Sequence, residues 1–313
     1  MSADKVLPKD GLIDEWFTYP TNLGKVASVF ATLKLIFELR RRKFDAVVYL
    51  MPRIRTPQQI GRDKRFFRLA GVSEFIGVNY LEQTGLREPI PKPTPTVESE
   101  GPHLLHCLSF DGVPIDETNL KPDLLLSDDE ISGAKSWLNG IVGNRAEPLR
   151  MIAVAPGSKW ESKVWAEDRY VTVVSRLISE YGVLPVVFGG GEDREKGDRL
   201  IARWKSGVNS AGRLSVRESA ALLGECELYL GNDTGTMHLA AAAGIKCVAI
   251  FASIDWKGRW APFGDGHQVF RQTVECEGCH TSICFNDHKC LSLTGTDEVY
   301  EACSRILGSA RDE

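Results

Sequence analysis

The segment Leu230-Gly-Asn-Asp-Thr-Gly-Thr-Met-His-Leu-Ala-Ala-Ala-Ala-Gly244 predicts a strand end, a sharp turn and an Ala-rich helix in immediate succession. A strand that turns straight into a helix points free backbone N–H groups and the positive end of the helix dipole at one spot. That spot favours an anion, and phosphate fits it without further cations. The segment therefore predicts a βα unit with an anion site at its turn.

Side chains of this segment extend the same interpretation. The Thr234 hydroxyl adds a donor, Gly235 lets a ligand approach the backbone closely, and Asp233 can accept hydrogen bonds from sugar hydroxyls. His238 lies about one turn into the helix and is expected to face the same anion site. The alternative is that Asp233 or Thr234 only caps the helix and that His238 is an ordinary surface histidine. The segment alone leaves both interpretations open.

Outward from this segment, the chain from Met151 onward alternates short β-rich runs with amphipathic helical patterns. From Tyr170 to Tyr181 apolar residues recur at the spacing of one helix face, and Ser215 with Glu218 forms a capping box. This alternation is typical of βα units around a parallel sheet, so we predict a doubly wound domain. Its strands are predicted at residues 151–155, 184–188, 227–230 and 246–251.

A second segment, Pro156-Gly-Ser-Lys-Trp-Glu-Ser-Lys-Val-Trp165, follows the first of these strands. It therefore lies at the carboxyl edge of the predicted sheet, where doubly wound folds bind their ligands. Ser158, Lys159 and Lys163 reach the same edge, and a hydroxyl with two ammonium groups suits a diphosphate.

A third segment, Phe188-Gly-Gly-Gly-Glu-Asp-Arg194, follows the next predicted strand. It is not a dinucleotide fingerprint, because Arg194 stands where G-x-G-x-x-G needs its last Gly, and the chain has no Walker A sequence. Glu192 or Asp193 can instead accept hydrogen bonds from a ribose diol, as acidic residues at strand ends do. The three segments converge on one crevice.

Composition narrows the class of protein. The chain has 313 residues, 43 % apolar and 26 % charged, and its net charge of −4 argues against a general nucleic-acid binder. No apolar run reaches the roughly 18 to 20 residues of a membrane span, and no signal-peptide pattern follows Met1, so we expect a cytoplasmic protein. The length predicts about two domains, which we place at residues 1–145 and 146–313.

The N-terminal half shows a shorter pattern of the same kind. Its predicted elements are a strand at 13–19, a helix at 26–42, a strand at 46–50 and a helix at 58–70. The Pro-rich stretch 88–96 predicts an extended surface loop. Residues 139–148 are interpreted as the interdomain linker, after a helix that Ser127 and Glu130 cap.

Four of the eight cysteines crowd together near the C-terminus with the spacing C-x2-C-x4-C-x5-C. Four thiolates would satisfy a tetrahedral zinc ion, but structural zinc sites usually pair two C-x-x-C knuckles across a longer gap. We therefore favour a reduced, thiol-lined loop packed against the final helix, with zinc as the alternative. The four residues are Cys276, Cys279, Cys284 and Cys290.

The order of these motifs resembles glycosyltransferase family 9, the heptosyltransferase-like enzymes of bacterial surface-polysaccharide assembly. P-G-S-x-W-x-x-K-x-W is followed by a strand with G-G-x-E/D, by S-x-x-E-x-A-x-L and by G-N-D-T-G-x-M-H-L-A-A-A-x-G, of which the last block is the most specific. The resemblance covers residues 151 to 307 well and residues 13–50 more loosely.

The resemblance implies a GT-B architecture, in which two Rossmann-like domains face a cleft. The donor sugar nucleotide would bind the C-terminal domain and the acceptor the N-terminal domain. The reaction would invert the anomeric centre and need neither metal nor cofactor. The acceptor would be a lipopolysaccharide or another surface glycan, and the transferred sugar would be heptose-like.

Carried over by position, the resemblance assigns a role to each candidate residue. The helix-start segment would hold the sugar and diphosphate, the second segment the phosphates, and the third segment the ribose. Lys163 would stabilise charge on the departing nucleoside diphosphate, and no residue is assigned as the general base. The donor-binding residues are Ser158, Lys163, Glu192, Asp193, Asp233, Thr234, Gly235 and His238.

The sequence departs from the family at its N-terminal end. Family members begin with a strand, a Gly-Asp-bearing loop and a helix, and that Asp is the proposed base; no such unit is read before Ile13. We therefore expect an N-terminal domain without its first βα unit. The alternatives to a transferase are a sugar-nucleotide-binding protein without turnover and, more remotely, a GT-B sugar-nucleotide epimerase.

Positive charge is concentrated on the expected acceptor side. Residues 38–68 contain ten Lys or Arg and three Asp or Glu, an excess of +7 in a chain of net charge −4. We interpret Arg53 and Arg55 as contacts to a phosphorylated or lipid-linked acceptor, with anionic lipid as a further partner at the inner face of the cytoplasmic membrane. The alternative for Arg40 to Lys43 is an ordinary solvated helix end.

Overall fold

A computed structural model describes residues 3–8, 11–19, 24–116, 118, 120–143 and 149–309. The chain divides into two units. The N-terminal unit comprises Ile13–Ile90 and Glu98–Leu120, and the C-terminal unit comprises Met1–Leu12, Pro91–Val97 and Lys121–Glu313. Within the described residues, no helix combines the length and the apolar character that crossing a membrane requires.

The N-terminal unit has two parallel strands within its described residues, with Ala46 opposite Glu74. The predicted helices at 26–42 and 58–70 are confirmed, and the predicted strand at 46–50 forms but ends at Val48. Its elements are α1 (Lys25–Arg42), β1 (Ala46–Val48), α2 (Pro57–Leu69), β2 (Glu74–Ile76), α3 (Asn79–Thr84) and α4 (Glu100–Phe110).

The predicted strand at 13–19 is wrong, because these residues join no sheet. Their alternating aromatic side chains pack on neighbouring segments instead. The Phe17 ring meets Phe44 edge-on at 6.3 Å, and the Tyr19 ring lies 5.0 Å from Phe66. The period-2 pattern here reflects an extended segment that covers apolar side chains without pairing its backbone.

Helix α1 is apolar on two opposite faces. Leu35 and Leu39 are buried against Ala70. On the other face an exposed stripe recurs at i, i+3, i+4, i+7 and i+11, which places its members on one side of the helix. This apolar stripe consists of Val26, Val29, Phe30, Leu33 and Phe37, which are 56 % to 71 % exposed.

The C-terminal unit is built around six parallel strands. The predicted strands are confirmed, with ends that shift by one or two residues, whereas β5 and β8 were not predicted. The strands are β3 (Met151–Ala155), β4 (Leu184–Val187), β5 (Val208–Asn209), β6 (Leu228–Asn232), β7 (Lys246–Phe251) and β8 (Gln268–Arg271). The helices are α5 (Asp128–Val142), α6 (Glu167–Tyr181), α7 (Arg194–Trp204), α8 (Val216–Leu223), α9 (Gly235–Ala242), α10 (Lys289–Ser292) and α11 (Thr296–Ser309).

The strand order β5-β4-β3-β6-β7-β8 is that of a doubly wound dinucleotide-binding domain. All five residues of β3 are buried, and they alternate between two cores. Ile152 and Val154 pack in the core that contains Leu177 of α6, whereas Ala153 and Ala155 pack in the core of α5, α8 and α9. Because β3 and β6 are neighbours whose connections leave in opposite directions, a crevice opens beyond their carboxyl ends.

Arg217 of α8 connects residues that precede β3 to the rest of the C-terminal unit. Its guanidinium donates to Glu130 at 2.5 and 2.8 Å and to the carbonyls of Val6, Leu124 and Leu125. Helix α5 therefore packs with the C-terminal unit, and both predicted capping boxes, at Ser127 and Ser215, are present. The division at 145 and 146 stays a prediction, and residues 144–148 of the predicted linker lie outside the described residues.

Candidate functional site

A cleft of about 430 Å³ opens at the carboxyl ends of β3, β4 and β6. Its walls come from the three segments that sequence reasoning singled out. Lys5, Trp160, Phe188 and Val216 also line it and were not predicted as site residues. Seven of the eight predicted donor-binding residues lie together there: Ser158, Lys163, Glu192, Asp193, Asp233, Thr234 and Gly235.

The centre of the cleft is an ion pair across the point where the strand order reverses. Lys163 Nζ lies 2.6 Å from Asp233 Oδ2, and the two side chains are 18 % and 8 % exposed. The ammonium also lies 5.7 Å from the centre of the Trp160 ring. Because the pair is mostly removed from water, the attraction between its two charges is stronger than it would be on the surface.

The N-terminus of α9 faces the same cleft. Thr234 is the N-cap residue, its backbone is extended, and its side chain makes no capping hydrogen bond. The capping interpretation of Thr234 is therefore wrong, and the Asp233 carboxylate is engaged with Lys163 instead. Thr234, Gly235 and Thr236 line the cleft together with Lys163, so the positive end of the α9 dipole faces the same cleft as the ammonium.

Glu192 and Asp193 have different environments. Asp193 Oδ2 accepts a hydrogen bond from the Gly190 N–H at 3.0 Å, and burial raises the pKa of this carboxyl. Its side chain lies so close to Gly157 and Gly189 that a Cβ on either glycine would come within 1.9 to 2.6 Å of it. The Asp193 side chain thus lies between the loops that follow β3 and β4. Glu192 is exposed at the rim of the cleft.

His238 is not among the side chains that line the cleft. Its ring meets Trp260 edge-on with a centroid distance of 6.4 Å. Burial lowers the pKa of His238, so its imidazole is neutral at pH 7. The charges of Asp233 and Lys163 also influence its pKa, and a contact of His238 with the donor stays a prediction.

The cysteine-rich segment packs against the loop that carries Lys163. Ser162 Oγ donates to the Thr281 carbonyl at 2.6 Å, and the Cys284 N–H donates to Glu161 Oε2 at 2.9 Å. His288 Nε2 lies 2.9 Å from Glu161 Oε1. The predicted contact with the core of α11 is also present, and sequence reasoning missed the contact with the 156–165 loop because the two segments are more than 110 residues apart.

The four cysteines of this segment line one small cavity, together with Ser162. They are Cys276, Cys279, Cys284 and Cys290, and none forms a disulfide. In the part of the chain that the structure describes, no group of three or more His, Cys, Asp or Glu side chains is arranged to hold a metal ion. Zinc at this position stays the less favoured alternative.

The two predicted acceptor-side arginines have unequal access to solvent. The Arg53 side chain is 6 % exposed and lies 3.6 Å from Glu98. Arg55 is 23 % exposed, pairs with Asp63 at 3.1 Å and lines a cavity of about 540 Å³ within the N-terminal unit. Tyr49 also donates to Asp63 at 2.8 Å, and burial beside that carboxylate raises the pKa of Tyr49 to about 12.

The fold and the cleft define a class: an α/β protein with a doubly wound unit and a crevice at its switch point. The family comparison is more specific. The sequence model of glycosyltransferase family 9 (heptosyltransferase) matches residues 90–289, more than half of the chain. The chain belongs to this family.

Curated relatives and solved structures agree with this assignment. Lipopolysaccharide heptosyltransferase 2 of Escherichia coli (strain K12) is 28 % identical over 147 residues, 42 % of each chain. Lipopolysaccharide heptosyltransferase 1 of Campylobacter coli is 21 % identical over 79 % of this chain and 72 % of its own length. The chain thus spans less than half the length of the first of these relatives.

The solved structures bear on the fold. The glycosyl transferase family 9 protein from Veillonella parvula DSM 2008 superposes with a TM-score of 0.71 at 17 % identity, covering 98 % of this chain and 86 % of that one. E. coli ADP-heptose lps heptosyltransferase II gives 0.63 at 20 % identity, covering 90 % and 82 %. The predicted GT-B type α/β fold is confirmed.

Proposed function

We propose that this protein is a glycosyltransferase that moves a heptose-like sugar from a nucleoside-diphosphate donor to a lipopolysaccharide or related surface-glycan acceptor. The observation that carries the proposal is the Lys163–Asp233 pair at 2.6 Å, set against the N-terminus of α9 at the switch point of the sheet. The names of the family and of its relatives supply the sugar and the acceptor class.

Transfer of the sugar requires that the cleft stabilise the leaving group. The bond from the anomeric carbon to the diphosphate oxygen breaks, and its electron pair stays on the nucleoside diphosphate. Lys163 and the α9 backbone N–H groups stabilise that growing charge, and they are already fixed in the ligand-free fold. Donors that need no reorganisation lower the barrier more than mobile ones, so no metal ion is required in this proposal.

The new bond forms from an acceptor hydroxyl on the opposite face of the sugar, which inverts the anomeric centre. The hydroxyl proton passes to a general base, and no described residue is assigned to that role. Asp233 orients Lys163 and accepts from a sugar hydroxyl, Ser158 binds a phosphate, and Glu192 binds the ribose. His238 was also predicted to contact the donor, but it does not line the cleft, and we assign it no role in transfer.

A second candidate is a protein that binds the nucleotide sugar without turning it over. It is supported by two points taken together: every donor-side residue belongs to the C-terminal unit, and no described residue is assigned as the general base that transfer needs. Donor binding then needs nothing from the acceptor side. The two candidates agree on the donor cleft and differ only in transfer.

On the acceptor side, we propose that Arg55 contacts a phosphate of the acceptor and that the protein works in the cytoplasm, in peripheral contact with anionic lipid. Arg40 to Lys43 are exposed at the end of α1 and add positive charge to the same unit. Sedimentation with anionic vesicles tests the lipid contact. Salt-sensitive binding is expected, and an absence of binding at low salt would contradict it.

The donor assignment is tested by thermal unfolding with ADP-, UDP- and GDP-sugars. One nucleotide is expected to raise the midpoint, because a ligand that binds only the folded state stabilises it by RT ln(1 + [L]/Kd). Transfer to a core-saccharide acceptor is then measured with that donor. Stabilisation without transfer would favour the second candidate, and no stabilisation by any nucleotide sugar would overturn the donor site.

A further inference from the structure

Asn232, the last residue of β6, is fully buried and uses its whole amide in hydrogen bonds. Its Nδ2 group donates to the carbonyls of Pro156 at 3.0 Å and Gly157 at 3.3 Å. Its Oδ1 atom accepts from the Trp165 N–H at 3.1 Å and from the Tyr170 hydroxyl at 2.9 Å. Two donors and two accepted bonds exhaust what an amide side chain offers.

We call residues 156–165 the phosphate loop. The partners of Asn232 lie at the two ends of this loop and in the first turn of α6. Pro156 and Gly157 open the loop, Trp165 closes it, and Lys163 lies between them. One side chain therefore pins both ends of the segment that carries Lys163. The next residue in the chain is Asp233, the partner of that lysine.

The backbone of Asn232 is held as well. The Tyr229 hydroxyl donates to the Asn232 carbonyl at 3.0 Å, so the peptide that leads into Asp233 is fixed from within the core. Tyr229 is itself fully buried. The two ends of the Lys163–Asp233 pair thus share a common support at the end of β6.

We propose that Asn232 is the positioning residue of the donor cleft, which holds Lys163 and Asp233 in register for the diphosphate. The proposal rests on the proposed function for the identity of the ligand, but its geometric part does not. No other side chain of this size supplies two donors and two acceptor positions at once. Asn232→Asp keeps the shape and replaces both donors with an oxygen facing two carbonyl oxygens.

A merely structural role would also cost stability, so a matched control is needed. Asn209 is a second buried asparagine at the end of a strand of the same sheet. Its amide donates to the Arg194 carbonyl and to Asp198, and it accepts from the Ala211 N–H. None of these partners belongs to the phosphate loop, so Asn209→Asp removes comparable bonds elsewhere.

The first measurement is hydrogen exchange of the ligand-free chain, which needs no donor. Asn232→Asp is expected to speed exchange across residues 158–165 at least tenfold relative to the wild type, while α6 beyond its first turn stays protected. Asn209→Asp is expected to leave the phosphate loop unchanged. Equal exchange of the loop in all three proteins would overturn the positioning role.

The second measurement is the Kd for whichever of ADP, UDP and GDP stabilises the wild type most. Asn232→Asp is expected to weaken binding at least tenfold and Asn209→Asp less than twofold, at similar losses of melting temperature. Parallel weakening in both variants would contradict the proposal. If no nucleotide binds the wild type, the proposed function fails while the exchange result still decides the geometry.

Tyr170→Phe is the milder variant in case Asn232→Asp does not fold. It removes one bond to Asn232 Oδ1 and leaves the Trp165 N–H in place, so the fold is expected to survive. Exchange of residues 158–165 should rise two- to fivefold, with a similar loss of nucleotide affinity. Wild-type exchange and affinity in a folded Tyr170→Phe protein would count against Asn232 as the support.

Discussion

The two units of this molecule differ in how they cover apolar surface. In the C-terminal unit every residue of β3 and β6 is buried, with helices on both faces of the sheet. In the N-terminal unit two three-residue strands are at most half-buried, and the apolar stripe of α1 is more than half exposed. The two units therefore differ in how much apolar surface their own side chains cover.

The contrast explains where the donor cleft lies. A site that fixes an ammonium against a carboxylate at 2.6 Å needs strands that do not move, and a sheet buried on both faces supplies them. The phosphate loop and the start of α9 both leave such strands. In our proposal the C-terminal unit therefore carries the donor site by itself, and the variants that follow compare one unit, or one part of the cleft, with another.

The largest effect is expected for Lys163→Met. Losing a fixed cation at the leaving group should lower kcat/KM by about 10² to 10³. Stability also falls, because the Asp233 carboxylate stays buried without its partner. The double variant Lys163→Met with Asp233→Asn is expected to recover stability but not transfer, as measured by thermal unfolding and initial rates.

Arg150→Met is the matched control for this prediction. It breaks an ion pair of the same length, 2.6 Å to Glu227, in the same unit but away from the cleft. Its kcat/KM should stay within about twofold of the wild type. A similar loss of rate in both variants would mean that general stability, not the cleft, limits activity.

Two truncations, Leu177→Ala and Phe30→Ala, test the difference in burial between the two units. Leu177 is fully buried in the C-terminal core, so its truncation should cost about 2–5 kcal/mol of unfolding free energy. Phe30 is 69 % exposed, and its truncation should change stability by about 0.5 kcal/mol or less. Urea unfolding measures both, and comparable costs would show that the apolar stripe is covered in solution.

A smaller effect is expected for Ser162→Ala. This side chain bonds the phosphate loop to the Thr281 carbonyl at 2.6 Å, so its loss removes one contact with the cysteine-rich segment. The expected cost is about 1 kcal/mol of stability, with a two- to fivefold rise in the Kd for the nucleoside diphosphate. Ser309→Ala removes an exposed hydroxyl at the end of α11 and should change neither quantity.

The smallest effect is the pH dependence that Glu130 contributes. Its bonds to Arg217 lower the pKa of this carboxyl from 4.5 to about 2. A depressed pKa in the folded state stabilises the protein above the unfolded value, and that stability is lost as the pH falls from about 4.5 toward 2. Glu130→Gln is expected to flatten the stability curve in this window, and an unchanged slope there would argue against the Arg217 contact.

The elements that the sequence predicted share a local origin. The strands at β3, β4, β6 and β7 are short apolar runs followed by helices with a single apolar face, and these patterns do not depend on distant residues. The carboxyl-edge rule for parallel sheets then placed the three ligand segments at one crevice. This is why seven of the eight residues predicted on the donor side line one cleft.

What the sequence did not predict depends on distant contacts. Lys163 and Asp233 were each named, but their pairing joins positions 70 residues apart. The sequence predicts no role for Asn232, because its side-chain hydrogen bonds join it to residues in another segment. The two-residue β5 and the partly exposed β8 are too short or too polar to stand out, and residues 13–19 imitate a strand without joining a sheet.

The central claim is that the C-terminal unit alone binds the nucleoside diphosphate. Hydrogen exchange of the whole chain, with and without the best of ADP, UDP and GDP, tests it directly. The account predicts new protection at residues 156–165, 189–194 and 233–238, and none in the N-terminal unit at residues 24–90 and 98–110. Protection confined to the N-terminal unit, or no change in the three segments at saturating nucleotide, would contradict it.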